Sequence, residues 1–248
     1  MINLVKILLL LGLIGGLGGC QTWTWANTKQ ALVAASTEPL TLVGVGGALV
    51  MQINQIDHKI VQHLAKEPGL FSTPQQAIQA SDTSRSVTSI SMNMSNFLVR
   101  DTTFEDVLWR GVGNNLTAYT TAASTVMLQD GFMRQRPDGG SGSMPSAHTS
   151  RAFACSYLAH KNYQQSFLPK PLQVSGTIIT YSAAFLTGLA RVEGKKHFPS
   201  DVFMGMAYGT FISSFAFHLT KNFFTQQELS TLVSWMPHEK FFHLSYRF

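Results

Sequence analysis

Three short segments hold residue types that could carry out chemistry together: Arg134-Gln135-Arg136-Pro137, Met144-Pro145-Ser146-Ala147-His148-Thr149-Ser150, and Arg191-Val192-Glu193-Gly194-Lys195-Lys196-His197-Phe198-Pro199-Ser200-Asp201. Two arginines beside a glycine-rich loop can clamp a tetrahedral oxyanion through forked, charge-assisted hydrogen bonds. Alone, such a pair is as well explained by a solvated surface. The second segment opens a predicted helix that Thr149 or Ser150 can cap, and the free N–H groups of a helix N-terminus attract anions. Ser146 can add a hydroxyl there, and His148 sits at the same mouth, placed to deliver a proton. In the third segment Pro199 suits the first turn of a helix, so His197 and Asp201, four residues apart, can meet across that turn. A carboxylate on one imidazole nitrogen fixes the tautomer and leaves the other nitrogen free to attack. Without the other two segments, a surface His–Asp pair explains that spacing equally well.

Together the segments supply cations for an oxyanion, two histidines and an orienting acid. This is the inventory for phosphoryl transfer through a covalent phosphohistidine. Arginines and backbone N–H groups can neutralise the oxyanion, so neither a metal nor another cofactor is expected. The chain has no HExxH, Cys/His cluster or paired-aspartate metal motif.

The three segments resemble the signature motifs of the type 2 phosphatidic acid phosphatase superfamily, which includes bacterial acid phosphatases and vanadium haloperoxidases. That pattern is a lysine, six residues and Arg-Pro; then Pro-Ser-Gly-His; then Ser-Arg, five residues, His, three residues and Asp. The corresponding residues here are Arg136-Pro137, Pro145-Ser146-Ala147-His148, and Ala190-Arg191 followed by His197 and Asp201, within roughly residues 110–220. The resemblance implies an all-α helical bundle with the site between helices. It implies that His197 attacks phosphorus, Asp201 orients it, and His148 protonates the leaving oxygen and later activates water. Arg136, Arg191, Ser146 and the N–H of Ala147 would hold the phosphoryl oxygens, with Arg134 as an accessory contact. Three positions depart from the pattern. Gln129 stands where the lysine belongs and donates without charge. Ala147 replaces a glycine and would be strained if the loop needed positive φ. Ala190 replaces a serine and removes a hydroxyl.

Of the 248 residues, 45% are hydrophobic and only 12% charged, against about a quarter charged in ordinary soluble domains. This points to a large helical core, membrane contact, or both. The net charge of +5 is too small to argue for a nucleic-acid partner. Lys6, an apolar stretch from Ile7 to Leu17, and Leu17-Gly18-Gly19-Cys20 read as a lipoprotein signal peptide over 1–19, with Cys20 as the lipidated residue. Gln21 hints at outer-membrane sorting. Residues 20–38 read as a tether and 39–248 as one phosphatase-like domain of the lipoprotein type. Cys155, in an apolar run, reads as a buried hydrophobe.

Within that domain, Leu40 to Ile53 reads as a buried helix, and Ile56, Ile60, Val61 and Leu64 mark a helical face that Pro68 and Gly69 end. Residues 72–86, rich in Ser, Thr, Gln and Asp, read as a loop, and 131–146 as another. Helices are expected at about 149–160, 173–190 and 200–219. Val202 to Leu219 is eighteen residues without a formal charge, at the threshold for a spanning helix, although a buried bundle helix explains it as well. Aromatic alternation from Phe242 to Phe248 allows a short terminal strand.

The reading is a metal-independent phosphatase facing the periplasm and held to the membrane by its lipid. Its substrates would be phosphorylated lipids or small phosphate esters, as monoesters or pyrophosphates. The competing readings are a vanadium-dependent haloperoxidase and a degenerate envelope lipoprotein without activity.

Overall fold

The computed structural model describes residues 24–67, 69–100 and 103–234, with side chains through residue 220. The described residues form eight α-helices: α1 Trp25–Thr37, α2 Pro39–Gln52, α3 Ile56–Lys66, α4 Pro74–Ser95, α5 Phe104–Phe132, α6 Ala147–Gln164, α7 Lys170–Glu193 and α8 Pro199–Ser234. They contain no strand beyond an isolated bridge between Val99 and Ser166, so the fold is all-α. The leader 1–19, Cys20 and the Phe242–Phe248 alternation lie outside the described residues. Of the stretch expected to be a tether, residues 25–37 form α1, which packs on α8 with Ala31 and Ala35 buried.

Helix α6 is the axis of the bundle, touching α4, α5, α7 and α8. Its buried face is mostly small: Ala152, Ala154, Cys155, Ser156 and Ala159 are fully buried, with Phe153, Tyr157 and Leu158 filling the remaining volume. Small side chains let helix axes approach closely, a device common in helical membrane proteins. Helix α8 uses it hardest. A Cβ on Gly205 would lie 2.8 Å from the Ser146 carbonyl oxygen, so only glycine lets the start of α8 lie against the start of α6. Likewise a Cβ on Gly44 would lie 2.7 Å from the Ala207 backbone nitrogen, which brings α2 onto α8.

Two expectations need correcting. Residues 72–86 are no loop: all but the first two belong to α4, which Thr73 caps at 3.2 Å from the Gln76 N–H and Pro74 opens. The polar composition misleads because the hydroxyls bond within or between helices. Ser84 Oγ bonds the Ala80 carbonyl and lies 2.8 Å from Thr187 Oγ1 of α7. Helix α2 is a helix but not a buried one. It touches the bundle through Thr41, Gly44 and Ala48, while Leu42, Val43, Val45, Leu49 and Val50 are exposed.

Among the described residues, three helical stretches are long and apolar enough to cross a membrane by length and composition: Pro39–Lys66, Lys170–Glu193 and Pro199–Thr220. The sequence alone singled out only the last, because the threonines, serines, glutamines and glycines of the other two make them read as more polar. The α2–α3 pair is kinked where Asn54 and Gln55 adopt positive φ of 48° and 58°.

Candidate active site

Five elements end at one pole of the bundle. There the C-termini of α5 and α7 meet the N-termini of α4, α6 and α8, together with the loops 133–146 and 194–198. Helix N-termini carry positive potential and unpaired N–H groups, so this pole favours anions before any side chain is counted.

His197 is delivered by a tight reversal at the end of α7. Lys195 takes φ +56°, and the N–H groups of Lys196 and His197 both bond the Arg191 carbonyl at 3.0 and 3.2 Å. The ring is 1% exposed, and its Nδ1 lies 2.7 Å from the Ser143 carbonyl oxygen. A carbonyl only accepts, so Nδ1 carries the proton and the neutral ring presents its Nε2 lone pair. Burial, then Arg191, with Arg136 and His148 adding to it against the Ser143 bond, holds His197 well below the usual histidine range. It is therefore neutral, the form a nucleophile requires.

Asp201 does not make the direct carboxylate–imidazole bond expected from the spacing. Its Oδ2 lies 3.9 Å from His197 Nδ1, too far for a hydrogen bond. That oxygen instead accepts from the Phe198 N–H at 2.7 Å and from the Ser143 hydroxyl, while Oδ1 accepts from Arg134 at 2.7 Å. Asp201 thus holds the residue whose carbonyl holds His197, and remains close enough to stabilise charge on the ring.

Helix α6 begins at Ala147, with Ser146 as its N-cap residue and not Thr149 or Ser150. Thr149 and Ser150 lie within its first turn, and Thr149 donates its hydroxyl to Ser146 Oγ at 3.0 Å. The Ser146 N–H bonds the Asp201 carbonyl at 2.9 Å, tying this cap to α8. Ala147 has no positive φ, so alanine carries no backbone strain here. His148 is partly open to solvent, with Nε2 3.1 Å from Asp82 Oδ1 on α4. Burial, then Arg191 and Arg85, pushes its pKa down to about 4 against the pull of Asp82.

Arg191 is 6% exposed, and its Nε has no hydrogen-bond partner among the described residues. A buried guanidinium N–H without an acceptor is costly, and an anion at this pole would satisfy it. Arg85 also has a buried Nε without a partner among the described residues. Arg136 is held by its own loop, Nε to the Gly142 carbonyl at 3.2 Å, and lies near enough to act on His197.

Two residues expected to contact phosphate are occupied elsewhere. The Gln129 amide nitrogen donates to the Pro145 carbonyl at 2.6 Å, bracing the loop before α6. Arg134 donates to Asp57 at 2.8 Å and to Ser200 and Asp201 at 2.7 Å each, and stacks 4.3 Å from the centre of the Phe198 ring. Both act as supports of the site.

Sequence reasoning passed over Asp57, Asp82, Arg85 and Ser143. Asp82 and Arg85 were hidden by the loop reading of 72–86. The signal that could have found them is the spacing of small residues Ala77, Ser81, Ser84 and Thr88, which are buried along one face of α4. Cys155 is buried and free, as its apolar neighbours imply.

The PAP2 superfamily model matches residues 107–225. The lipid A 1-phosphatase of Porphyromonas gingivalis is 34% identical over 90 residues, which is 36% of this chain and 19% of the relative. The chain thus aligns to about a fifth of the length of that curated relative. A crystal structure of a transmembrane PAP2-type phosphatidylglycerolphosphate phosphatase from Bacillus subtilis shares the fold. Its TM-score is 0.55, with 20% identity, over 75% of this chain and 94% of that one.

Proposed function

The chain belongs to the PAP2 superfamily through residues 107–225, and from that premise we propose that it is a membrane phosphatase hydrolysing lipid phosphate monoesters or pyrophosphates through a phosphohistidine. The observation that carries this reading is the buried Arg191 guanidinium, unpartnered at Nε, beside a buried neutral histidine whose Nδ1 is committed to a carbonyl.

In the first step Nε2 of His197 attacks phosphorus. The N–P bond forms as the P–O ester bond breaks, and His148 gives its proton to the departing oxygen. Arg191, Arg136 and the N–H groups opening α6 take up charge on the phosphoryl oxygens. In the second step His148 accepts a proton from water, the new P–O bond forms, the N–P bond breaks, and inorganic phosphate leaves. The Ser143 carbonyl and nearby Asp201 stabilise the positive ring between the steps. No step uses a metal.

Lipid substrates are supported by the activities named for the relative and the structural neighbour, and by the apolar exterior. Leu172, Ile178, Ile179, Phe185 and Leu189 on α7 are exposed, as is the outer face of α2. In our reading these faces meet acyl chains. Residues 1–19 act as a leader, lipidated Cys20 anchors the mature chain, and the catalytic pole faces the periplasm, in the outer membrane.

The test is phosphate release by the purified protein in chelator, from phosphatidate, a polyprenyl pyrophosphate and an aryl phosphate. Release lost in His197→Ala, with an acid-labile phosphoenzyme trapped in the wild type, is the expected result. No release from folded protein on any ester rejects the reading in favour of a pocket without activity.

A further inference from the structure

The segment that follows His197 is gripped by residues outside the three motifs. Asp57, in the first turn of α3, is 1% exposed. Its Oδ1 accepts from the Ser200 backbone N–H at 2.9 Å, and its Oδ2 accepts from the Ser200 hydroxyl and from Arg134 Nη2 at 2.8 Å. Ser200 lies in the opening turn of α8, where backbone N–H groups have no partner within the helix. Asp57 therefore caps α8 from another helix and adds negative charge where the helix dipole favours it.

Arg134 extends the grip. One nitrogen bonds Asp57; the other bridges Ser200 Oγ and Asp201 Oδ1, both at 2.7 Å. Its guanidinium covers one side of the Phe198 ring, and His58, next to Asp57, packs against that ring at 4.8 Å. Residues 198, 200 and 201 are thus fixed from α3 and from the 133–146 loop. The positive-φ pair Asn54–Gln55 turns the chain so that α3 begins here.

We infer that Asp57 is a positioning residue for the nucleophile, acting through Arg134 and Asp201 on Ser143, whose carbonyl orients His197. Asp57 lies outside the stretch matched by the superfamily model, residues 107–225, so this support is supplied by the N-terminal part of the chain. A guanidinium shared between two buried carboxylates has a fixed plane. Without Asp57, Arg134 can swing toward Asp201 alone, the Ser200 N–H loses its acceptor, and the 143–201 contact loosens. The His197 ring then no longer has a single Nδ1–H tautomer and direction. The consequence for catalysis rests on the phosphatase reading; the consequence for the ring does not.

The experiment uses the full chain with Asp57→Asn, which is isosteric but cannot accept on both side-chain atoms, from the Ser200 N–H and from Arg134 together. Arg134→Lys keeps the charge but cannot bridge three partners. Aryl phosphate hydrolysis gives kcat and KM separately, and nitrogen NMR of histidine-labelled protein gives the His197 tautomer. The expected result for both variants is a kcat lowered at least tenfold with KM within about twofold, and a His197 signal that moves from one tautomer to a mixture. The double variant should be no slower than the slower single one, because both changes break one chain of contacts. Wild-type kcat and an unchanged His197 signal in either folded variant would overturn the inference. If the wild type hydrolyses nothing, the phosphatase reading fails while the tautomer still decides the role of Asp57.

Discussion

His197 and His148 are two residues of the site whose protonation the fold shifts, in ways that can be measured. With His197 held below the ordinary value of 6.5, its neutral form persists into acid, so the acidic limb of kcat/KM should lie below that pH. Arg136→Gln removes one of the cations that depress it, so its midpoint should rise toward the ordinary value, read by proton NMR titration of the ring. For His148 the expected sign is opposite. It is neutral in the empty site above about pH 4 because of burial, Arg191 and Arg85. An oxyanion seated on those arginines offsets their charge and favours the imidazolium, so binding of inorganic phosphate or vanadate between pH 5 and 6 should take up protons. Calorimetry in buffers of different ionisation enthalpy checks this, and zero proton uptake would contradict the assigned acid. Gln129 poses a different question. Since its amide braces the Pro145 carbonyl, Gln129→Ala should cost stability by about 1–3 kcal/mol, seen as a lower thermal midpoint, before any effect on phosphate affinity.

At the scale of elements, the site exists because helix starts can be brought together closely. Ser146 opens α6 and Ser200 lies in the first turn of α8; glycine at 205 lets these turns touch. Gly205→Val would drive a side chain into the Ser146 carbonyl, at an overpacking cost of about 1–3 kcal/mol. Because the strain falls on the residue that caps α6, kcat/KM should fall further than stability does; equal losses would show that the junction is merely packing. Glu193 plays a smaller part, its two oxygens accepting from the Leu70 and Phe71 N–H groups at 3.0 and 2.9 Å. It fastens the chain before α4 to the end of α7, two residues from Arg191.

For the whole molecule, the exposed apolar faces of α2 and α7 and the hydropathy of three stretches bear on how the chain is held. If these faces meet acyl chains as we propose, the lipid on Cys20 is one of two attachments. Cys20→Ala should then remain in the membrane fraction after an alkaline wash. Release into the supernatant would mean that the lipid alone holds the protein and that the apolar faces are covered in some other way.

The three motifs, their order and the helical character of the chain were legible from the sequence, because they depend on residue identity, short spacing and local periodicity. The family followed from them, and so did the all-α fold. The first half of α4 was misread as a loop, since hydroxyl-rich segments look like loops until their hydrogen bonds to helix carbonyls are seen. The sequence also left open which partners Asp201, Arg134 and Gln129 bond. Spacing showed that Asp201 could reach His197, but not that Ser143 from a distant loop would take the ring nitrogen first. Nor could it join Asp57 to Arg134, separated by 77 positions. A buried polar group must find a partner somewhere. Which partner it finds depends on how helices distant in sequence pack, and only the tertiary structure decided that.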